Sequence, residues 1–148
     1  VSNLLWDSVE DHQFITGIYG ILDDTNKTFV FSNAGHNPPV LVKATGEYKF
    51  VEYGDLPLGM FRGMRYHQHF LRFDRGDILV IYTDGITEAA SEGGEEYGRE
   101  RLAEKIAEGR DLSARELVDF IHQDVLNFAA NRELNDDGTL FIVKRRDV

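Results

Sequence analysis

Two short stretches of this sequence put carboxylates where the chain enters or leaves a strongly apolar run. In "YTDG" (Tyr82 to Gly85) the run Ile78 to Tyr82 ends in Asp84, and in "NDDG" (Asn135 to Gly138) Asp136 and Asp137 stand just ahead of the run Thr139 to Arg145. Carboxylates that converge at a sheet edge repel one another, and the usual relief is a raised pKa or a bound divalent cation. Hard oxygen ligands, with no cysteine and few suitably spaced histidines, select Mg²⁺, Mn²⁺ or Ca²⁺ over zinc. Against this stands a plainer reading. Asp-Gly and Asp-Asp-Gly are common turn sequences, and on the residues alone a turn without metal is the commoner case.

Which reading holds depends on the elements that carry these acids. If the two apolar runs are antiparallel neighbours, Asp84 and Asp136 share one edge of a sheet; if parallel, they lie at opposite edges. Upstream, "FITGIYGILD" and "KTFVFSNA" flank Asp24-Thr25-Asn26 as a hairpin, and "VLVKATGEYKFVE" repeats the arrangement about Gly46. After the Gly- and Pro-rich "YGDLPLGMFRGMR", the runs "YHQHFLRF" and "DILVIYT" flank Asp74-Arg75-Gly76 and predict a third hairpin. The opening Asn3 to Val9 reads as the tail of a helix. Beyond Asp84 the apolar period lengthens to that of a helix. "GRERLAEKIAEG" puts Leu102, Ala103, Ile106 and Ala107 on one face and stops at Gly109. In "SARELVDFIHQDVLNFAA", Ser113 and Glu116 form a capping box ahead of the stripe Leu117, Phe120, Ile121, Val125 and Phe128. Strands, two helices and a closing strand, Thr139 to Arg145, predict an α+β fold with helices packed on an antiparallel sheet or sandwich.

At 148 residues and 42% hydrophobic, residues 1–148 read as one domain with enough apolar material for a core. A net charge of −10 argues against a nucleic-acid surface. The absence of cysteine removes disulfides and thiolate catalysis and is compatible with a cytoplasmic setting. No run approaches the ~20 apolar residues of a membrane span.

Five stretches, "SNAGHNPPVLV" (Ser32 to Val42), "LPLGM" (Leu56 to Met60), "FDRGDILVIYTDGITEA" (Phe73 to Ala89), "EEYGRERL" (Glu95 to Leu102) and "NDDGTLFIV" (Asn135 to Val143), occur in the order and at about the spacing of SpoIIE-like phosphatases. The chain from Phe14 onward thus resembles the bacterial branch of the PPM family of metal-dependent Ser/Thr protein phosphatases. The resemblance implies an antiparallel β-sandwich flanked by helices, with a binuclear Mn²⁺ or Mg²⁺ centre in the complete domain. It also implies hydrolysis of phosphoserine or phosphothreonine by metal-activated water, with no protein side chain as nucleophile. Carried over by residue, Asp84 and Asp136 become metal ligands and Asp137 an orienting neighbour; no substrate-binding residue is identified. The implied partners are a phosphorylated bacterial regulatory protein, such as an anti-sigma-factor antagonist, and an N-terminal sensor or receiver domain. A homodimer is left open.

The family's further metal-binding acids belong to an early Asp-x-x-Gly-like or Asp-Gly-His-Gly-like element, for which Asp7, Glu10 and Asp11 lack the context. The chain is therefore read as the larger C-terminal part of such a domain, truncated at the N-terminus. Two carboxylates hold one hydrated cation loosely, so these residues alone are expected to be weak or inactive. The alternative is a non-catalytic, pseudophosphatase-like protein-binding module. Among the remaining candidates, His67 and His69 are expected on one solvated strand face, since no third ligand is near in sequence. His36, within the Asn33 to Pro39 motif, is read as structural. Arg62 and Arg65 have phosphate-binding chemistry, but on a loop they are more often solvated, as is the acidic stretch Glu92, Glu95 and Glu96.

Overall fold

The computed structural model describes residues 1–8, 13–130 and 136–146. In chain order the elements are α1 (Ser2–Trp6), β1 (Gly17–Asp23), β2 (Thr28–Ala34), β3 (Val40–Val42), β4 (Tyr48–Phe50), β5 (His69–Arg72), β6 (Ile78–Tyr82), α2 (Asp84–Thr87), α3 (Arg99–Glu108), α4 (Ala114–Phe128) and β7 (Leu140–Lys144). All named strand pairs are antiparallel, in a three-stranded sheet ordered β1-β2-β5 and a four-stranded sheet ordered β4-β3-β6-β7. This is the expected α+β class with antiparallel sheets. The chain divides into two units, residues 1–38 with 52–74 and residues 39–51 with 75–148.

In the first unit, β1 and β2 pair from Gly17↔Ala34 to Asp23↔Thr28, and Asp23 closes their turn by accepting from the backbone and side chain of Asn26. Phe29 and Phe31 stack at 5.1 Å and are buried with Leu71. Glycine at position 20 leaves room for this stack, because a Cβ would stand 2.2 Å from the Phe29 ring and displace it. Asn33 is buried, and its amide both donates to the His36 carbonyl (2.9 Å) and accepts from the His36 N–H (2.8 Å), folding the Asn-Ala-Gly-His motif into a tight turn. Gly35 sits at φ +69° in that turn, a conformation that favours glycine.

In the second unit, Val40, Val42, Ile78, Val80 and Tyr82 share a core with Leu102, Ala103 and Ile106 of α3 and Leu117, Ile121 and Val125 of α4. The helical stripes predicted from spacing are the buried faces. Ser113 caps α4, with the reciprocal Glu116 bond also present. Tyr97, packed edge-on against Phe128, donates its buried hydroxyl to Asp124 at 2.7 Å. Lys144 extends from β7 to the carbonyls of Arg110 and Leu112, which satisfies the chain between α3 and α4.

The third hairpin does not form. β5 pairs with β2, and β6 with β3 and β7, so the two strands flanking Asp74-Arg75-Gly76 lie in different sheets. The local bonds at this connection face away from hairpin closure: Phe73 N–H donates to the Lys27 carbonyl, Arg72 binds Asp74, and Gly76 N–H donates to the Arg145 carbonyl. Turn residues permit a change of direction without choosing the next strand's partner. His67 is solvent-exposed, as expected, but it lies outside the strand. His67 precedes β5, and its ring and backbone N–H bond the two oxygens of Asp55 at 2.7 Å each, while His69 stacks on Tyr53 at 4.6 Å.

Candidate functional site

β6 and β7 settle the geometric condition. Their antiparallel register runs from Ile78↔Lys144 to Tyr82↔Leu140, so the C-terminal end of β6 and the N-terminal end of β7 lie side by side. Asp84 follows the first and Asp136 precedes the second, which places both at one edge of the four-stranded sheet, exposed to solvent. In place of the turn that the plainer reading would put at Asp84, a one-turn helix starts there: α2 begins at Asp84, with Thr83 as N-cap in extended conformation.

The contact between the two chain ends is close. A Cβ on Gly85 would lie 2.7 Å from the Asp137 carbonyl oxygen and 2.9 Å from that of Asp136. Real Cβ atoms do not approach backbone so closely, so glycine at this position is a requirement of packing. The Asp-Gly pair thus has a reason apart from turn chemistry. Thr83 ties the same ends together: its N–H donates to the Thr139 carbonyl (3.1 Å), while its hydroxyl accepts from Thr139 N–H (2.8 Å) and donates to the Asp137 carbonyl (3.0 Å).

Each acid accepts one bond from the residue after it. Gly85 N–H donates to Asp84 Oδ1 at 3.1 Å, and Asp137 N–H to Asp136 Oδ1 at 2.7 Å. Among the described residues, the second oxygen of each takes no hydrogen bond. Two exposed carboxylates, each with an uncommitted oxygen, suit a hydrated hard divalent cation. Among the described residues no group of three or more Asp, Glu or His stands ready to hold a metal. Asp7 lies in the other unit, where it pairs with Arg62 at 3.5 Å, and Glu10, Asp11 and Asn135 fall outside the described residues.

The remaining candidates make local contacts of their own. His36 Nδ1 meets the Thr16 hydroxyl at 3.3 Å in the first unit. Glu95 and Glu96 belong to a small turn in which Ser91 and Glu95 exchange bonds and Ala90 bridges Glu96. Asp84 and Asp136 are named by sequence motif; Thr83 and Gly85 are found only in three dimensions. Their one sequence signal is their place on either side of Asp84 at a strand end. No helix among the described residues is long and apolar enough to cross a membrane.

Comparison with known proteins agrees with this architecture. The family model for stage II sporulation protein E (SpoIIE) matches residues 1–146. Protein IcfG of Synechocystis sp. is 31% identical over 133 residues, covering 89% of this chain and 21% of IcfG. Phosphoserine phosphatase RsbU of Bacillus subtilis is 28% identical over 147 residues, covering 99% of this chain and 43% of RsbU. The chain therefore spans less than half the length of either curated relative. Among solved structures, the SiaA-PP2C domain of Pseudomonas aeruginosa superposes with a TM-score of 0.77 at 16% identity, over 89% of this chain and 52% of that one. That likeness gives the fold, α+β with the antiparallel sheets of PP2C phosphatases, and the family match covers nearly every residue: the chain belongs to the SpoIIE family.

Proposed function

We propose that this chain forms part of a metal-dependent protein serine/threonine phosphatase acting on phosphoserine or phosphothreonine in a bacterial regulatory protein, with Asp84 and Asp136 as ligands of Mn²⁺ or Mg²⁺. The observation that carries the reading is the antiparallel β6–β7 pair, which brings these two acids to one edge. The relation to RsbU, a phosphoserine phosphatase, supports the substrate class. An anti-sigma-factor antagonist is the kind of partner proposed, and a sensor or receiver module the regulatory input.

When bound, divalent cations in such a site lower the pKa of a coordinated water and neutralise phosphoryl charge. The chain's own residues position and orient. Asp137 N–H holds one oxygen of Asp136 and leaves the other uncommitted, Gly85 N–H does the same for Asp84, and the missing Cβ of Gly85 lets the two segments meet. Two carboxylates leave most of a cation's coordination sphere to water, so binding by these residues alone is weak, and turnover with it.

The deciding experiment is a Mn²⁺ titration of the chain followed by electron paramagnetic resonance of free Mn²⁺. Wild type binds about one ion weakly, and Asp84→Asn and Asp136→Asn each lose it. Identical titrations for wild type and both variants would sink the reading and favour a non-catalytic module that binds a protein partner.

A further inference from the structure

We infer that Thr83 is a positioning residue for this edge, its hydroxyl setting the separation between Asp84 and the Asp136–Asp137 segment. The inference rests on the phosphatase reading for its purpose and on the hydrogen bonds for its content. The last regular β6–β7 pair is Tyr82↔Leu140, so the ladder's next position joins Thr83 to Thr139. Half of that pair is ordinary: Thr83 N–H donates to the Thr139 carbonyl at 3.1 Å. The reciprocal bond would require the Thr83 carbonyl, but α2 has taken it, through Ile86 N–H at 3.1 Å. Thr139 N–H turns instead to Thr83 Oγ1 at 2.8 Å, and the same hydroxyl donates onward to the Asp137 carbonyl at 3.0 Å. One side chain thus replaces a backbone group that the strand-to-helix transition removed from the ladder. Because the hydroxyl accepts one bond while donating the other, its proton direction is determined.

The placement bears on both acids. Asp84 follows Thr83 directly, and Asp137 follows Asp136, so the hydroxyl bridges the two segments one residue from each carboxylate. Thr83 makes no side-chain capping bond to α2, so removing its hydroxyl does not uncap the helix. Thr139 and Asp137 are exposed, and water can take over their freed groups. Valine keeps the β-branch and nearly the volume of threonine. Thr83→Val therefore removes the tether while leaving the fold in place, and Thr83→Ser retains it.

The test compares wild type, Thr83→Val, Thr83→Ser and Asp84→Asn in the full chain, by Mn²⁺ titration read from water-proton relaxation and by metal-free amide exchange at Thr139. Loss of a group that orients a metal ligand weakens binding by about tenfold or more. Thr83→Val is expected to weaken Mn²⁺ about tenfold and to speed Thr139 exchange without metal, with Thr83→Ser close to wild type in both. If Asp84→Asn weakens Mn²⁺ while Thr83→Val binds as wild type does, the inference is overturned and the phosphatase reading stands. If Asp84→Asn binds as wild type does, that reading fails and takes this role with it. Equal weakening in Thr83→Val and Thr83→Ser with lowered melting temperatures would mean a purely structural residue, and would also overturn it.

Discussion

Gly85→Ala asks whether the two chain ends at this edge meet as closely as the structure places them. The added Cβ would stand 2.7 Å from the Asp137 carbonyl oxygen, 2.8 Å from its carbonyl carbon and 2.9 Å from the Asp136 carbonyl oxygen. All three are backbone atoms, so no side-chain rotation relieves the clash. Ordinary contact begins at 3.4 Å, and the Asp136–Asp137 segment must withdraw by about 0.7 Å. A shift of that size carries the Thr83–Thr139 and Thr83–Asp137 bonds, at 2.8 and 3.0 Å, to the limit of hydrogen bonding or past it. Overpacking costs about 1–3 kcal/mol, while alanine exceeds glycine in helix propensity by at most about 1 kcal/mol. The clash outweighs the propensity, and a net loss of about 1–2 kcal/mol is expected by urea unfolding, with faster amide exchange at Thr139. Gly93→Ala serves as control: its nearest neighbour is Ser91 Oγ at 3.7 Å and its φ lies outside the left-handed region. Equal stability of the two variants, with unchanged exchange at Thr139, would refute the close contact.

Tyr97→Phe removes the hydroxyl that donates to Asp124, a carboxylate also paired with Lys105 at 3.1 Å, and should cost about 1 kcal/mol in chemical denaturation. Burial, reinforced by the bond to Asp124, pushes the Tyr97 phenol well above its usual pKa. Its contribution is therefore complete below about pH 10 and is lost as pH rises further; ultraviolet titration of wild type against Tyr97→Phe should show Tyr97 ionising only on unfolding. Burial pushes the Asp55 carboxyl up, but hydrogen bonds from His67 outweigh it and hold it below the ordinary carboxylate value. That contribution is present above about pH 4 and disappears as pH falls through the lowered pKa, so Asp55→Asn should flatten the acid limb of the pH–stability curve. A phosphoserine-peptide assay of these 148 residues with Mn²⁺ should give little or no turnover above buffer. Robust Mn²⁺-dependent turnover that is lost in Asp84→Asn would overturn the expectation of weak activity.

Helix α4 was readable because its signals are local: Ser113 and Glu116 are three residues apart, and the buried Leu117, Ile121 and Val125 recur at helical spacing. The connection at Asp74-Arg75-Gly76 was not, since the residues that bend a chain carry no information about whether β2 or β6 will pair with β5. The same limit governs the candidate site. Asp84 and Asp136 could be named from their motifs, but their meeting at one edge depends on the sense of β6 against β7, which alternation along either strand does not encode. Gly85 and Thr83 were invisible for a related reason: one is dictated by an absent atom facing Asp137, the other by bonds to residues more than fifty positions away.

If the β6–β7 edge binds a divalent cation through Asp84 and Asp136, as proposed, the ion lies beside a few identifiable backbone amides. Paramagnetic broadening of amide signals by substoichiometric Mn²⁺ tests it most directly, because it reports where the ion sits. The amides of Gly85 and Asp137 should broaden first, and Asp84→Asn should abolish the effect. Broadening centred elsewhere, such as at Asp55 and His67, or broadening that survives Asp84→Asn, would contradict it.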